Sequence, residues 1–256
     1  VSLCLYCIPC YADTYYVSLT GTRTSGVSIS DDWTDINCYG SISAAIAQMS
    51  SGDIVEINDG IYTGTSNFIN SGIIALPNGI STSSMTTIKA RNTLAVTLQN
   101  DATLNYYDCP IRLQSGRQFI RIDGFIMKIS DSNYPRDIVE VSGMNCYISN
   151  CIAIRKGVAD NYSSWFYVDG SYNLIEDCAG AGHVRYGFNT GGPSATSNHN
   201  VFRRCVGRAD YSDSDQPMST FGFYGNSDGS LDAEFIAYQN CIAIDGNYIN
   251  PGTGTY

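Results

Sequence analysis

Apolar and polar residues alternate along most of this chain in short runs bounded by Gly, Asn and Asp. Ile54-Val-Glu-Ile-Asn-Asp-Gly-Ile-Tyr62 and Thr87-Ile-Lys-Ala-Arg-Asn-Thr-Leu-Ala-Val-Thr-Leu98 are examples, and their β-branched, period-two pattern predicts strands. One stretch departs from it. Ile42, Ala45, Ile46 and Met49 recur at helical spacing, which predicts a short amphipathic helix.

The runs also repeat. Tyr147-Ile-Ser-Asn-Cys151-Ile-Ala-Ile, Leu174-Ile-Glu-Asp-Cys178-Ala-Gly-Ala, Val201-Phe-Arg-Arg-Cys205-Val-Gly-Arg and Ala237-Tyr-Gln-Asn-Cys241-Ile-Ala-Ile align on a cysteine in steps of 27, 27 and 36 residues. Arg121-Ile-Asp-Gly-Phe125-Ile-Met-Lys fits the same frame one repeat earlier. A regular period of short strands and polar turns predicts a solenoid in which each repeat is one coil. Equivalent residues of adjacent coils then stack about 4.8 Å apart. Cys151, Cys178, Cys205 and Cys241 form one predicted column, headed by Phe125, and Ile148, Ile175, Phe202 and Tyr238 form another. Packing as small buried hydrophobes is the expected role of the cysteines, with disulfides between neighbours left open by their spacing.

These features resemble the right-handed parallel β-helix, the pectate-lyase-like superfamily, over residues 14–248. The resemblance includes the opening Tyr15-Tyr-Val-Ser-Leu19, the helical Ser41-Ile-Ser-Ala-Ala-Ile-Ala-Gln-Met49 and the strand ending Asp59-Gly-Ile-Tyr62. It implies an all-β, single-stranded right-handed parallel β-helix solenoid over 14–256, with the short helix plugging its N-terminal end. Lyases, hydrolases, adhesins and phage fibres share this fold, so the resemblance leaves activity open.

Composition narrows the partners. The net charge is −10, with 24 acidic residues against 14 basic ones, which argues against nucleic acid and anionic membrane surfaces. No apolar run reaches the roughly 18 residues of a spanning helix. Ten cysteines, the acidity and the polar, Tyr-rich composition favour a secreted or cell-surface protein carrying disulfides, and a single glycosylation sequon stands at Asn161.

Candidate chemistry follows. Lys156, Arg185 and His183 come after consecutive repeat strands, beside Arg155, and are the catalytic candidates. Asp210, Asp213 and Asp215 form an acidic cluster that could take Ca2+, the one cofactor considered, although it lacks the Gly and Glu of an EF-hand loop. Neither histidine has zinc-ligand spacing. Tyr106-Tyr107, Trp165-Phe166-Tyr167 and Phe221-Gly-Phe-Tyr224 are expected to be exposed aromatics, fit for sugar rings or a protein interface.

Residues 1–13 read as an N-terminal extension, either an intersubunit strand or a leader remnant. Cys4, Cys7 and Cys10 lack the fourth Cys of an iron–sulfur loop and the His of a haem site. The Gly, Pro and Asn after Ile244 predict no capping helix. An open edge and an apolar extension together predict strand addition between copies through Leu3, Cys4, Leu5, Tyr6, Cys7, Ile8 and Cys10, growing a head-to-tail filament. The expectation is thus an extracellular structural subunit that binds copies of itself. The alternatives are a secreted polysaccharide lyase or glycoside hydrolase, and a non-catalytic glycan-binding or adhesin module.

Overall fold

A computed structural model describes residues 12–100, 105, 107–130, 137–156, 163–191, 197–209, 219–223 and 233–245. The chain winds through three long parallel sheets, with a short parallel pair, Ser197–Asn198 and Ala233–Glu234, beside them. The first holds Cys38–Tyr39, Thr14–Val17, Ile54–Ile57, Thr86–Ala90, Ile120–Asp123, Tyr147–Ser149, Leu174–Glu176, Val201–Arg203 and Ala237–Gln239, in that spatial order. The second runs from Gly60–Thr63 through Val96–Gln99, Phe125–Ile129, Ile152–Arg155, Ala179–Gly182 and Val206–Ala209 to Ile242–Asp245. The third runs from Ile69–Asn70 through Ile111–Leu113, Asp137–Val141, Ser164–Val168 and Tyr186–Thr190 to Ser219–Phe223. Each coil visits the sheets in this order.

Register turns the repeat into columns. Val55, Ile88, Ile122, Ile148, Ile175, Phe202 and Tyr238 pair in succession along the first sheet. In the second sheet the inward column is Tyr62, Leu98, Met127, Ala153, Gly180 and Gly207, so side chains shrink along the axis. In the third it is Ile69, Ile111, Val139, Phe166, Phe188 and Phe221, so they grow. The opposed tapers keep the interior filled at constant width. Phe188 stacks between Phe166 at 4.8 Å and Phe221 at 5.1 Å. The Trp165 ring completes the filling: a Cβ at Gly180 would lie 2.2 Å from it. Trp165 and Phe166 are therefore fully buried, contrary to their expected exposure, because the glycines opposite leave room for them.

The corners explain the remaining spacing. Asn150, Asp177, Arg204 and Asn240 each adopt a left-handed conformation (φ 52–54°) between the first and second sheets, where Gly124 stands one coil earlier. Only one or two residues separate the strands here. A second left-handed column, Phe119, Asn145, Tyr172, His199 and Phe235, leads into the first sheet. The Tyr172, His199 and Phe235 rings stack along it at 4.7 and 4.8 Å. Between the second and third sheets, by contrast, the linking segments run from three residues (183–185) to eleven (100–110).

Buried polar groups are paired between coils. Asn173 Oδ1 accepts from the Cys146 amide and Asn200 Oδ1 from the Asn173 amide, each at 2.9 Å. The helix Ile42–Ile46 is N-capped by Ser41, whose hydroxyl accepts from the Ala44 amide. It buries Ile42, Ala45 and Ile46 against the strands of the first coil.

All seven described cysteines, Cys38, Cys109, Cys146, Cys151, Cys178, Cys205 and Cys241, are free thiols. The expected disulfides are not seen among them. In the repeat column the side chains run parallel at one-coil spacing, about 4.8 Å, well beyond an S–S bond of about 2.05 Å. Each thiol bonds a backbone carbonyl instead, as Cys151 does to Ser149 at 3.1 Å and Cys178 to Glu176 at 3.2 Å.

Candidate functional site

The three outward faces differ in chemistry. That of the first sheet is an exposed ladder of ion pairs: Lys89–Glu56 at 2.7 Å, Arg121–Asp123 at 2.8 Å, Arg203 and Arg204 on Glu176, and Arg204–Asp177 at 2.7 Å. Hydrogen bonds from Arg203 and Tyr147 hold the Glu176 carboxyl down at about 2. Its carboxylates are thereby committed to cations of the same face. The outward face of the second sheet is mostly apolar over its later coils, with Ile126, Ile152, Ile154, Ala179, Ala181, Val206, Ile242 and Ile244, and is broken by the exposed cations Lys128 and Arg208 in the same column.

The third sheet is different. Ile69, Ile111, Leu113, Val139, Val141, Phe166, Val168 and Phe188 face the core, so the residues between them point outward. These are Asn70, Arg112, Glu140, Tyr167 and Asn189, in register on five successive coils. Outward residues are ordinarily wet. Here Asn70, Tyr167 and Asn189 are each no more than 9% exposed, and the Arg112 and Glu140 side chains only 14% and 13%. This is a sunken polar row.

Its contacts are specific. Arg112 Nε donates to Glu140 Oε2 at 2.9 Å, and Ser142 Oγ lies 3.4 Å from Glu140 Oε1. Asn70 Nδ2 donates to the carbonyls of Tyr107 and Cys109 at 2.9 and 3.2 Å. The Arg112 guanidinium lies 4.4 Å from the centre of the Tyr107 ring, an exposed aromatic at the rim. Gly72 forms part of the floor: a Cβ there would come within 3.1 Å of Arg112 Nη1, Asn70 Oδ1 and Gln114 Nε2. Asp169 continues the outward parity after Tyr167, one coil along and diagonal to Glu140, which places the two Cα atoms about 7–8 Å apart. Burial, with Asp137 and Glu140 nearby, pushes the Cys109 thiol well up, so it is no nucleophile. The row offers a guanidinium, carboxylates, a phenol and amides at one-coil intervals, the groups needed to hold a polyhydroxylated chain and move protons along it.

The sequence candidates lie beside this row. Lys156 is exposed directly after strand Ile152–Arg155, while Arg155 itself is buried. His183 and Arg185 are half-buried in the three-residue link to strand Tyr186–Thr190, with the Arg185 guanidinium 4.8 Å from the Tyr186 ring centre. All sit at the edge between the second and third sheets rather than in the row. Leu3, Cys4, Leu5, Tyr6, Cys7, Ile8, Cys10, Tyr106, Asn161, Asp210, Asp213, Asp215 and Tyr224 lie outside the described residues. Among the described residues no group of three or more His, Cys, Asp or Glu is placed to hold a metal ion, and no helix is long and apolar enough to cross a membrane.

No family model matches this sequence, and no curated protein matches it. Among solved structures, the fold is similar to that of a PL6 family polysaccharide lyase from Pseudopedobacter saltans, with a TM-score of 0.52 and 14% identity over 76% of this chain. This chain spans 44% of that one. Identity at that level is a likeness of architecture. Together with sheets that are parallel throughout, it shows the fold to be a right-handed parallel β-helix.

Proposed function

We propose that the sunken row of the third sheet binds a polysaccharide and cleaves it by β-elimination. The observation that carries this reading is the burial of Asn70, Arg112, Glu140, Tyr167 and Asn189 on an outward face, in register on successive coils. A sugar chain along the coil axis would meet a new polar group at each coil. In an elimination, a base removes the proton α to the uronate carboxyl, the C4–O4 bond breaks, and the leaving oxygen takes a proton. Tyr167 would carry the proton, Asn189 one coil on would offset the charge that builds on the carboxylate, and Arg112 two coils back would bind the acid group of a neighbouring sugar. Glu140 would hold Arg112 in place. The similar lyase fold supports the reading at the level of architecture.

The test is incubation of the full chain with uronate-containing and neutral polysaccharides, reading the ultraviolet absorbance of the unsaturated product and the release of reducing ends. Absorbance that rises in the wild type and falls at least 100-fold in Tyr167→Phe supports elimination. Reducing ends without absorbance would reassign the row to hydrolysis by Glu140 and Asp169, carboxylates of adjacent coils. Silence in both assays across the panel would overturn the catalytic reading.

A second reading, end-to-end self-association, is favoured by one feature. Strands Ala237–Gln239 and Ile242–Asp245 are the last of their sheets among the described residues, with Phe235, Ile242 and Ile244 exposed beside them. Light scattering that shows monomers at all concentrations would remove it.

A further inference from the structure

The cysteine column holds a pair that the proposed activity does not use. Cys205 and Cys241 stand opposite one another between the registered pairs Arg203–Gln239 and Val206–Ile242. Their thiols have the same orientation. Cys205 Sγ lies 3.6 Å from the carbonyl of Arg203 and 3.5 Å from that of Ile175. Cys241 Sγ lies 3.5 Å from Gln239 and 3.4 Å from Phe202, the matching acceptors one coil on. Parallel side chains on adjacent coils carry their sulfurs one coil repeat apart, about 4.8 Å. That gap does not suit a disulfide, but it is close to twice a metal–thiolate bond of about 2.3 Å.

Access and surroundings fit as well. Cys205 is fully buried, whereas Cys241 is partly exposed and lines an open cavity with Phe221, Gly222, Tyr238, Asn240 and Ala243. The described residues of the wall are mostly apolar and present no carboxylate or imidazole, the donors that hard or borderline cations seek.

We propose that Cys205 and Cys241 form a linear, two-coordinate site for a soft d10 cation of the mercury(II) or copper(I) type, entered through this cavity. Binding breaks two S–H bonds, forms two S–metal bonds and releases two protons to water. Mercury(II) leaves a neutral bis-thiolate and copper(I) one negative charge. Because an uncompensated charge is costly in an apolar wall, mercury(II) binds more tightly. Both thiols must lose their protons for the metal to bind, so uptake strengthens as pH rises.

The experiment uses the full chain with Cys4, Cys7 and Cys10 changed to Ser, which removes the closely spaced thiols outside the column. Mercury(II) and, anaerobically, copper(I) are titrated separately, and native mass spectrometry, proton release and the ultraviolet thiolate-to-metal band are read. The expected result is one ion and two protons per chain. Cys241→Ser or Cys205→Val should abolish the band, and Cys151→Ser should leave it intact. Circular dichroism confirms that each variant is folded, and Cys241→Ser, at a partly exposed position, is the reference if Cys205→Val is not. A full equivalent still bound by folded Cys241→Ser, or binding without proton release, would overturn the proposal.

Discussion

Single residues decide the turns of this chain. Asn and Asp tolerate the left-handed conformation better than other side chains, so Asn150, Asp177 and Asn240 before the repeated cysteines were readable as pivots. Arg204 was not, because its side chain has no such preference; its ion pairs to Asp177 and Glu176 hold it there. Asn150→Val should lower stability by about 1–2 kcal/mol through the left-handed penalty, and Asn150→Gly by less, as measured in denaturant titrations. Glu176 gives a pH prediction. Its folded value, about 2, lies below the ordinary 4.5, so its contribution is present above about pH 4.5 and is lost as pH falls towards 2. Glu176→Gln should therefore flatten the fall in melting temperature between pH 5 and pH 2. A parallel fall in wild type and variant would show the carboxylate to be inert.

At the scale of elements, the core depends on matched tapers. Gly180→Ala places a methyl into the Trp165 ring and should cost about 1–3 kcal/mol by overpacking. Phe188→Ala breaks the stack between Phe166 and Phe221 and should cost about 3–5 kcal/mol. Both are read from thermal or urea unfolding. The first and second sheets were legible in the sequence because their strands flank the repeated cysteine at fixed distance. The third was not. Its strands Asp137–Val141, Ser164–Val168 and Tyr186–Thr190 follow links of unequal length, so they share no common frame. Hence Lys156, His183 and Arg185 stood out in the sequence while Arg112, Glu140, Tyr167 and Asn189 did not. The signal available was an outward polar residue between core-facing ones, and burial of that position depends on surrounding chain that no local pattern records.

For the whole molecule, stability is a sum over coils and their neighbours. Central coils are packed on both sides, whereas strands Ala237–Gln239 and Ile242–Asp245 pair on one side among the described residues. Amide hydrogen exchange should thus be slower across 147–155 than across 237–245, by at least tenfold. Equal protection would mean that the final strands are covered.

The unequal links have a consequence for how such a body could be remodelled. From Ile120 onward one or two residues turn the chain between the first and second sheets, while the link into the third sheet accepts anything from three residues to eleven without disturbing the stack. Variation is exported to the two edges of the third sheet, so peptides spliced between Gly182 and Tyr186 should change what that edge touches while the scaffold keeps its shape.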